Sequence, residues 1–475
     1  MENPEAPSTP KRGADETSYI LEGQRLNQQG RSRIASSDGG FTPEEEQTSD
    51  TKQLVMSDDE KYQTSLPLAS FNYINSIIGS GVIGIPYAFQ QAGFGMGLLL
   101  LFGVALITDY SLILMVRSGH LSGAFSYQGL MQAAFGKPGF VLLSILQFTY
   151  PFIAMVSYNV VVGDTITKVL TRMTGVEADS LLARREFVVA LATIFITIPL
   201  CLYRDIAKLS KVSFLSLVFI SFILVTIFIR MATLHDVVPS TPDAWQFANK
   251  GIIPAIGIMA FAFMCHHNTF LVYDSIENAN QQQWNIVTHA SVLTSCCVTV
   301  MFGIAGYATF TGYSQGDLLE NYCPYDDLMN ISRAAFSITI LLTYPIECFV
   351  TREVIENTFF SSRENEEQSP TYQHVAITLT LVLTTYFISM TTDCLGVVLE
   401  LNGVLAAVPL AYVLPALSYV KLEEGSLLSA KKLPALLLGL FGMVVAILGL
   451  VMLATNYDRI DTCSHETMNY CTNIT

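Results

Sequence analysis

Two short strings hold the residues whose types and spacing could do chemistry. The first, SFNYINSIIGSGVIGIPYAFQQAG, crowds Gly79, Gly81, Gly84 and Pro86 beside Asn75, Ser76 and Ser80. In a helix interior each glycine costs roughly 1 kcal/mol against alanine and a proline about 3. One reading is a glycine-rich packing face. Four breakers this close together point instead to an unwound segment, whose freed N–H and C=O groups must line a cavity or bind something, because hydrocarbon offers them no partner. The second string, GIIPAIGIMAFAFMCHHNTFLVYDSIENA, places Cys265, His266, His267 and Asn268 in an otherwise apolar run. Polar groups at that depth face the bundle interior. A metal centre is not expected, since adjacent helical residues point about 100° apart and no other Cys/His cluster supplies ligands. Asp109, Asp164, Glu347 and Glu400 also fall within apolar runs. Asp164 and Glu347 are expected near span ends, in reach of solvent. Glu400 is deeper and, with His266, is the group to suspect if protons are moved.

These residues need a membrane-spanning frame. Of 475 residues 51% are hydrophobic and 14% charged, where a soluble domain carries about a quarter charged. Apolar segments lie near 68–91, 94–116, 140–169, 186–203, 212–234, 251–276, 286–310, 334–356, 371–391, 395–419 and 433–455, which predicts an all-α polytopic membrane protein with eleven transmembrane helices. The two interrupted strings open spans one and six. That is the layout of two inverted five-helix repeats with broken helices 1 and 6 around a midplane site. A cytosolic enzyme, a secreted disulfide module and a nucleic-acid-binding domain are excluded. Residues 1–60 hold 13 Asp/Glu against 6 Lys/Arg and supply −7 of the net charge of −15, so acidity is mostly a property of the tails and loops.

Residues 1–64 read as a disordered acidic cytoplasmic tail without a signal-peptide core, 65–456 as the membrane domain and 457–475 as a short outer tail. Lys and Arg in the connecting loops divide ten to eight, or twelve to eight with Lys52 and Lys61, in favour of an N-terminus inside. Both N-x-S/T sequons, at Asn330 and Asn473, then fall outside, and Asn330 is the expected glycan acceptor. Cys323, Cys463 and Cys471 share that oxidising side. A Cys463–Cys471 bridge would close a short loop, with Cys323 the competing partner.

The strings FNYINSIIGSGVIGIPYAFQQAG, LQFTYPFIAMVSYNVVVGDT, IMAFAFMCHHNTFLVYDSI, GDLLENYCPYDD, LLTYPIECFVTREVI and DCLGVVLELNGVLAAVPL closely resemble the sodium-coupled neutral amino acid transporter family of the system A/N type, across residues 66 to 470. The resemblance implies a leucine-transporter-type fold that moves small neutral amino acids inward with Na+ as coupling ion and no other cofactor. It places a substrate carboxylate against N–H groups near Gly79, Ser80, Gly81 and Val82, and the ammonium against carbonyls near Phe263, Met264 and Cys265, beside His266. Phe261, Phe263 and Tyr150 would shape the side-chain pocket, Tyr150 mainly by packing. On this reading a side chain at Gly81 would fill ligand space and leave the fold intact. Asn75 matches the family's ion-linked asparagine and Thr343 a threonine of span eight; Ile78 and Thr339 complete the implied sodium set. Both threonines could equally bond back to their own helix.

The expected partners are therefore the amino acid, Na+ or H+, and the lipid bilayer, for a monomer without nucleic acid. The plasma membrane is the expected location. The rivals are a proton-coupled lysosomal exporter and a sensor that binds amino acid without moving it. An embedded enzyme is disfavoured, since no HExxH, GxSxG or GxxxxGK[ST] pattern is expected at a span end.

Overall fold

In the computed structural model of the chain, the described residues are 65–175, 180–203, 213–359, 370–455 and 470–471. The N-terminal tail, Cys463 and Asn473 lie outside them. Among the described residues every regular element is helical. Span one is α1 (Leu66–Ile77) and α2 (Ile85–Ala92), joined by a tight turn at Ser80–Gly84. α3 (Phe94–Ser122) and α4 (Tyr127–Thr174) follow. α5 (Arg185–Ala192) runs through a wide turn into Ile198–Cys201, and α6 (Ser213–Leu234) ends the first half. Span six is α7 (Ile252–Ala262) and α8 (Thr269–Ser275). α9 (Gln281–Phe310), α10 (Asp327–Phe359), α11 (Thr371–Ser389), α12 (Leu395–Leu422) and α13 (Leu433–Thr455) complete the bundle.

Helix thus lies on each of the eleven apolar segments. Among the described residues, eight helices are long and apolar enough to cross a membrane, or nine with the bent pair α1/α2 as one span. α5 falls short on length and α11 opens on the polar run Tyr372-Gln373-His374. Local chemistry sets several ends. The Ser126 hydroxyl accepts from the Gly129 N–H at 3.0 Å, and Asn280 does the same for Gln283 at 3.0 Å. Gly136, at φ 66°, lets the first turns of α4 break away before Pro138.

The bundle has an inside and an outside. Only 28% of the apolar window of α6 or α13 is buried, against 78% for α12 and 72% for span six. Phe214, Val218, Phe222, Val225 and Ile229 face outward at helical spacing, as lipid contacts would. In the interior, backbone meets backbone: a Cβ on Gly403 of α12 would lie 2.0 Å from the Gly257 carbonyl oxygen of α7. Small residues permit that approach.

Four sequence expectations change here. Asn330 belongs to the first turn of α10, not to a loop. It is buried, its amide nitrogen donates to Pro324 O at 2.7 Å and its oxygen accepts from Arg333 at 2.7 Å. A glycan on that nitrogen is incompatible with this packing. Cys471 pairs with Cys323 in place of Cys463, because the chain end lies over the loop before α10, where the Tyr470 hydroxyl donates to Asn321 O at 2.9 Å. Cys394, the residue before α12, is disulfide-bonded too. Asp164 and Glu347 do not reach solvent. Asp164 is paired with Arg185 at 3.0 Å, whereas Glu347 lies buried well inside α10.

Candidate functional site

The break in span one is made by main chain. The Gly79 N–H bonds to Ile77 O at 3.0 Å and so releases the carbonyl of Asn75, which it would hold in a continuous helix. Ile78 and Gly79 are extended or irregular, and Ser80–Gly84 then turns, fully buried, into α2. The axis bends by 49° across the break. The Val82 N–H is spent on Gly79 O at 3.4 Å.

Two glycines in this break have opposite surroundings. A Cβ on Gly79 would meet nothing within 4 Å, whereas one on Gly81 would lie 2.6 Å from Ala262 Cα and 3.1 Å from Phe261. The open space is above Gly79. Gly81 is a packing contact with the end of α7, which overturns the expectation that its missing side chain serves a ligand.

The break in span six is made by side chains. Phe263 and Met264 donate to Met259 O and Phe261 O, at 3.0 and 3.2 Å, and the Cys265 carbonyl accepts from Asn268 N–H at 3.0 Å. The carbonyls of Ala260, Ala262, Phe263 and Met264 take no main-chain bond across the break and are left for another donor. Around them the break is laced to α1: the Tyr73 hydroxyl is 2.9 Å from Thr269 Oγ1 and accepts from the Cys265 thiol at 3.3 Å. Asn268 Nδ2 donates to Ser76 Oγ at 2.8 Å. His266 is wholly buried, with Nε2 3.3 Å from Ser111 Oγ. The Ser111 hydroxyl gives its proton to Ala411 O, so His266 must be the donor, which fixes the Nε2–H tautomer. Its Nδ1 is then an acceptor, buried without a partner. The His267 ring lies 5.8 Å from Tyr150, itself 5.7 Å from Phe261.

The sodium candidates are only partly assembled. Asn75 is half-buried one turn before the break and Ile78 is at it. Thr339 and Thr343 donate to carbonyls of their own helix, Ala335 O at 3.1 Å and Thr339 O at 2.8 Å, which leaves their oxygen lone pairs free. What ties the span-one break to α10 is a residue the sequence did not single out. The Tyr158 hydroxyl of α4 interacts with both Ser80 and the Glu347 carboxylate. One signal for Glu347 was present: Thr339, Thr343 and Glu347 repeat every fourth residue and share one helix face.

An outer cover lies over the span-one break. The turn Leu318–Asn321 packs on Ser80–Gly84. Asp317 accepts from Leu319 N–H at 2.8 Å and its other oxygen is buried without a partner. Burial, with Glu320 beside it, pushes its carboxyl up to about 7. Lys168 of α4 holds Glu320 at 2.6 Å. Against expectation, Gly312 to Gly316 reads as a GxSxG motif, but Ser314 gives its proton to Thr311 O at 2.9 Å, and among the described residues no His, Asp or Glu is hydrogen-bonded to it.

An all-helical bundle of long apolar helices, with two interrupted spans at its centre, defines a polytopic membrane protein. The chain belongs to the family described as transmembrane amino acid transporter protein, whose model matches residues 62–455. It is similar to the "Putative sodium-coupled neutral amino acid transporter 11" of Danio rerio, at 49% identity over 86% of this chain and 90% of the relative. The Rattus norvegicus protein of the same name is 48% identical over 89% and 92%. The vacuolar amino acid transporter 2 of Saccharomyces cerevisiae is 31% identical over 83% and 84%. These relatives are transporters, not enzymes.

Proposed function

We propose that the chain is a secondary active carrier of small neutral amino acids, coupled to sodium and working by alternating access at the plasma membrane. The observation that carries this reading is the open space above Gly79, bounded by a main-chain break whose Ser80 and Gly81 N–H groups are free to meet a carboxylate. The opposite break leaves the Phe263 and Met264 carbonyls for an ammonium. A zwitterion satisfies both ends without a fixed charge from the protein. Asn75, Ile78, Thr339 and Thr343 form the proposed sodium set, within eleven spans arranged as two inverted repeats, the N-terminus inside. Closing the site requires the two halves to approach across α4 and α10.

A proton-coupled carrier of an internal membrane is the second reading. It is favoured by the yeast vacuolar relative and by buried groups able to hold a proton, His266 and Glu400. The test is uptake of a panel of labelled neutral amino acids into proteoliposomes, with sodium and proton gradients imposed separately. Accumulation that persists when choline replaces sodium on both sides sinks sodium coupling. Binding without flux under any gradient identifies a sensor.

A further inference from the structure

Glu347 is a buried carboxyl group without a counter-ion. One carboxylate oxygen, Oε2, has no hydrogen-bond partner. The resolved interactions are with the hydroxyls of Tyr158 and Tyr150, both on α4. Among the described residues no Lys, Arg or His forms an ion pair with it. Arg352, further along α10, is committed to Cys201 O at 3.1 Å and Thr378 Oγ1 at 2.9 Å. The other titratable groups in the vicinity are Cys265 and His267 beyond Tyr150, and Cys201 with Cys348 on the far side. A buried carboxylate in this setting is too costly to stay ionised and alone. It must either carry a proton or face a bound cation.

Its position makes that requirement mechanical. Glu347 lies one turn beyond Thr343 and two beyond Thr339 on the same face of α10, and Tyr158 links it to Ser80 at the span-one break. The break is the part of the bundle with main chain free to rearrange. We propose that Glu347 is the residue that carries the coupling charge: it takes up one monovalent cation, a proton or a sodium ion, on one side of the membrane and releases it on the other. With a proton, Oε2 gains it to give the neutral acid and loses it to regenerate the carboxylate. With sodium, the carboxylate neutralises the ion, and the Thr343 oxygen one turn away is the nearest of the threonine ligands. Tyr158 is the positioning residue that reports to the break whether the charge is covered.

This rests on the carrier reading above, and the experiment separates the two. Full-length protein in proteoliposomes is assayed with a mixture of labelled neutral L-amino acids, for counterflow without an ion gradient and for accumulation under a sodium or a proton gradient. Wild type is expected to accumulate under one gradient, which identifies the cation. Glu347→Gln should lose that accumulation, while counterflow persists at saturating amino acid with its half-saturating concentration raised within the roughly 5- to 150-fold range that site-to-site coupling spans. Glu347→Asp should retain part of it. Tyr158→Phe should keep accumulation while shifting the ion concentration, or the pH, of half-maximal uptake. Should Glu347→Gln fail to fold, Glu347→Asp and Tyr158→Phe decide: wild-type ion dependence in both overturns the proposal. So does gradient-driven accumulation by Glu347→Gln equal to wild type. Absence of counterflow in the wild type sinks the carrier reading and this proposal together.

Discussion

The two breaks at the centre of the bundle are made of different material. Span one is interrupted by glycine, and what it exposes is main chain facing open space above Gly79. Span six is interrupted by Cys265, His266, His267 and Asn268, of which Cys265, His266 and Asn268 are bonded to side chains of α1 or α3. The first break is equipped to receive a ligand and the second to clasp its neighbours. A pair of homologous-looking interruptions can therefore divide the work, one giving access and the other registration.

The sharpest way to break that contrast is inside the first break itself. Gly81→Val should destabilise the protein by about 1–3 kcal/mol or more, because the new side chain enters α7 backbone. The check is a thermal melt in detergent together with surface delivery. Gly79→Ala should leave the melt within about 0.5 kcal/mol of wild type and raise the half-saturating amino acid concentration. If Gly81→Val melts normally and Gly79→Ala does not, the assignment of open and packed sides is reversed.

A smaller effect separates the ion candidates. Removing the Asn75 amide should raise the sodium concentration for half-maximal uptake roughly tenfold, equivalent to about 1.4 kcal/mol. Thr343→Ser, which keeps the oxygen, should change it least. Substrate affinity must weaken in parallel, since equilibrium coupling is reciprocal. Sodium titration of uptake in the two variants reads both.

For the clasp, Tyr73→Phe removes the bonds to Thr269 and Cys265 and should cost about 1 kcal/mol, while the ring keeps its place 5.3 Å from Trp284. A melt unchanged by this substitution, with altered amino acid affinity instead, would move Tyr73 from the clasp to the ligand.

The smallest expected effect is at the outer cover. Asp317 holds its proton more tightly in the folded cover than its ordinary value of 3.8 allows, up to about 7. Its contribution is therefore fully present below that ordinary value and is lost as pH rises through the raised one. Hydrogen exchange over residues 314–326, corrected for intrinsic rates, should be faster at about pH 7.5 than at about pH 5. Asp317→Asn should flatten that difference, with Glu320, Lys168 and Arg333 left as the surrounding charges.

Both breaks were legible in the sequence because glycine, proline and paired histidines are costly inside an apolar run, and a cost without local compensation marks a site. The family was legible for the same reason at greater length. What was hidden depends on partners remote in the chain. Gly79 and Gly81 look alike until Ala262 arrives against one of them. Glu347 passed for a span-end residue because apolar counting does not show how far α10 extends beyond its hydrophobic core, from Asp327 to Phe359. Asn330 carried a valid sequon, yet the helix that begins at Asp327 takes its amide. Spacing left two partners open for Cys471, and the packing of Tyr470 and Cys471 against the loop before α10 selects Cys323.

That disulfide has a topological consequence. The cysteines it joins are 148 residues apart, so α10, α11, α12 and α13 are strung between them as parts of one covalent ring. A protease that cuts once within residues 324–470 opens the ring without dividing the molecule, and the fragments run together until the bond is reduced. A cut before residue 323 releases a separate piece at once. Gels with and without reductant would therefore report on which side of Cys323 any single cleavage fell.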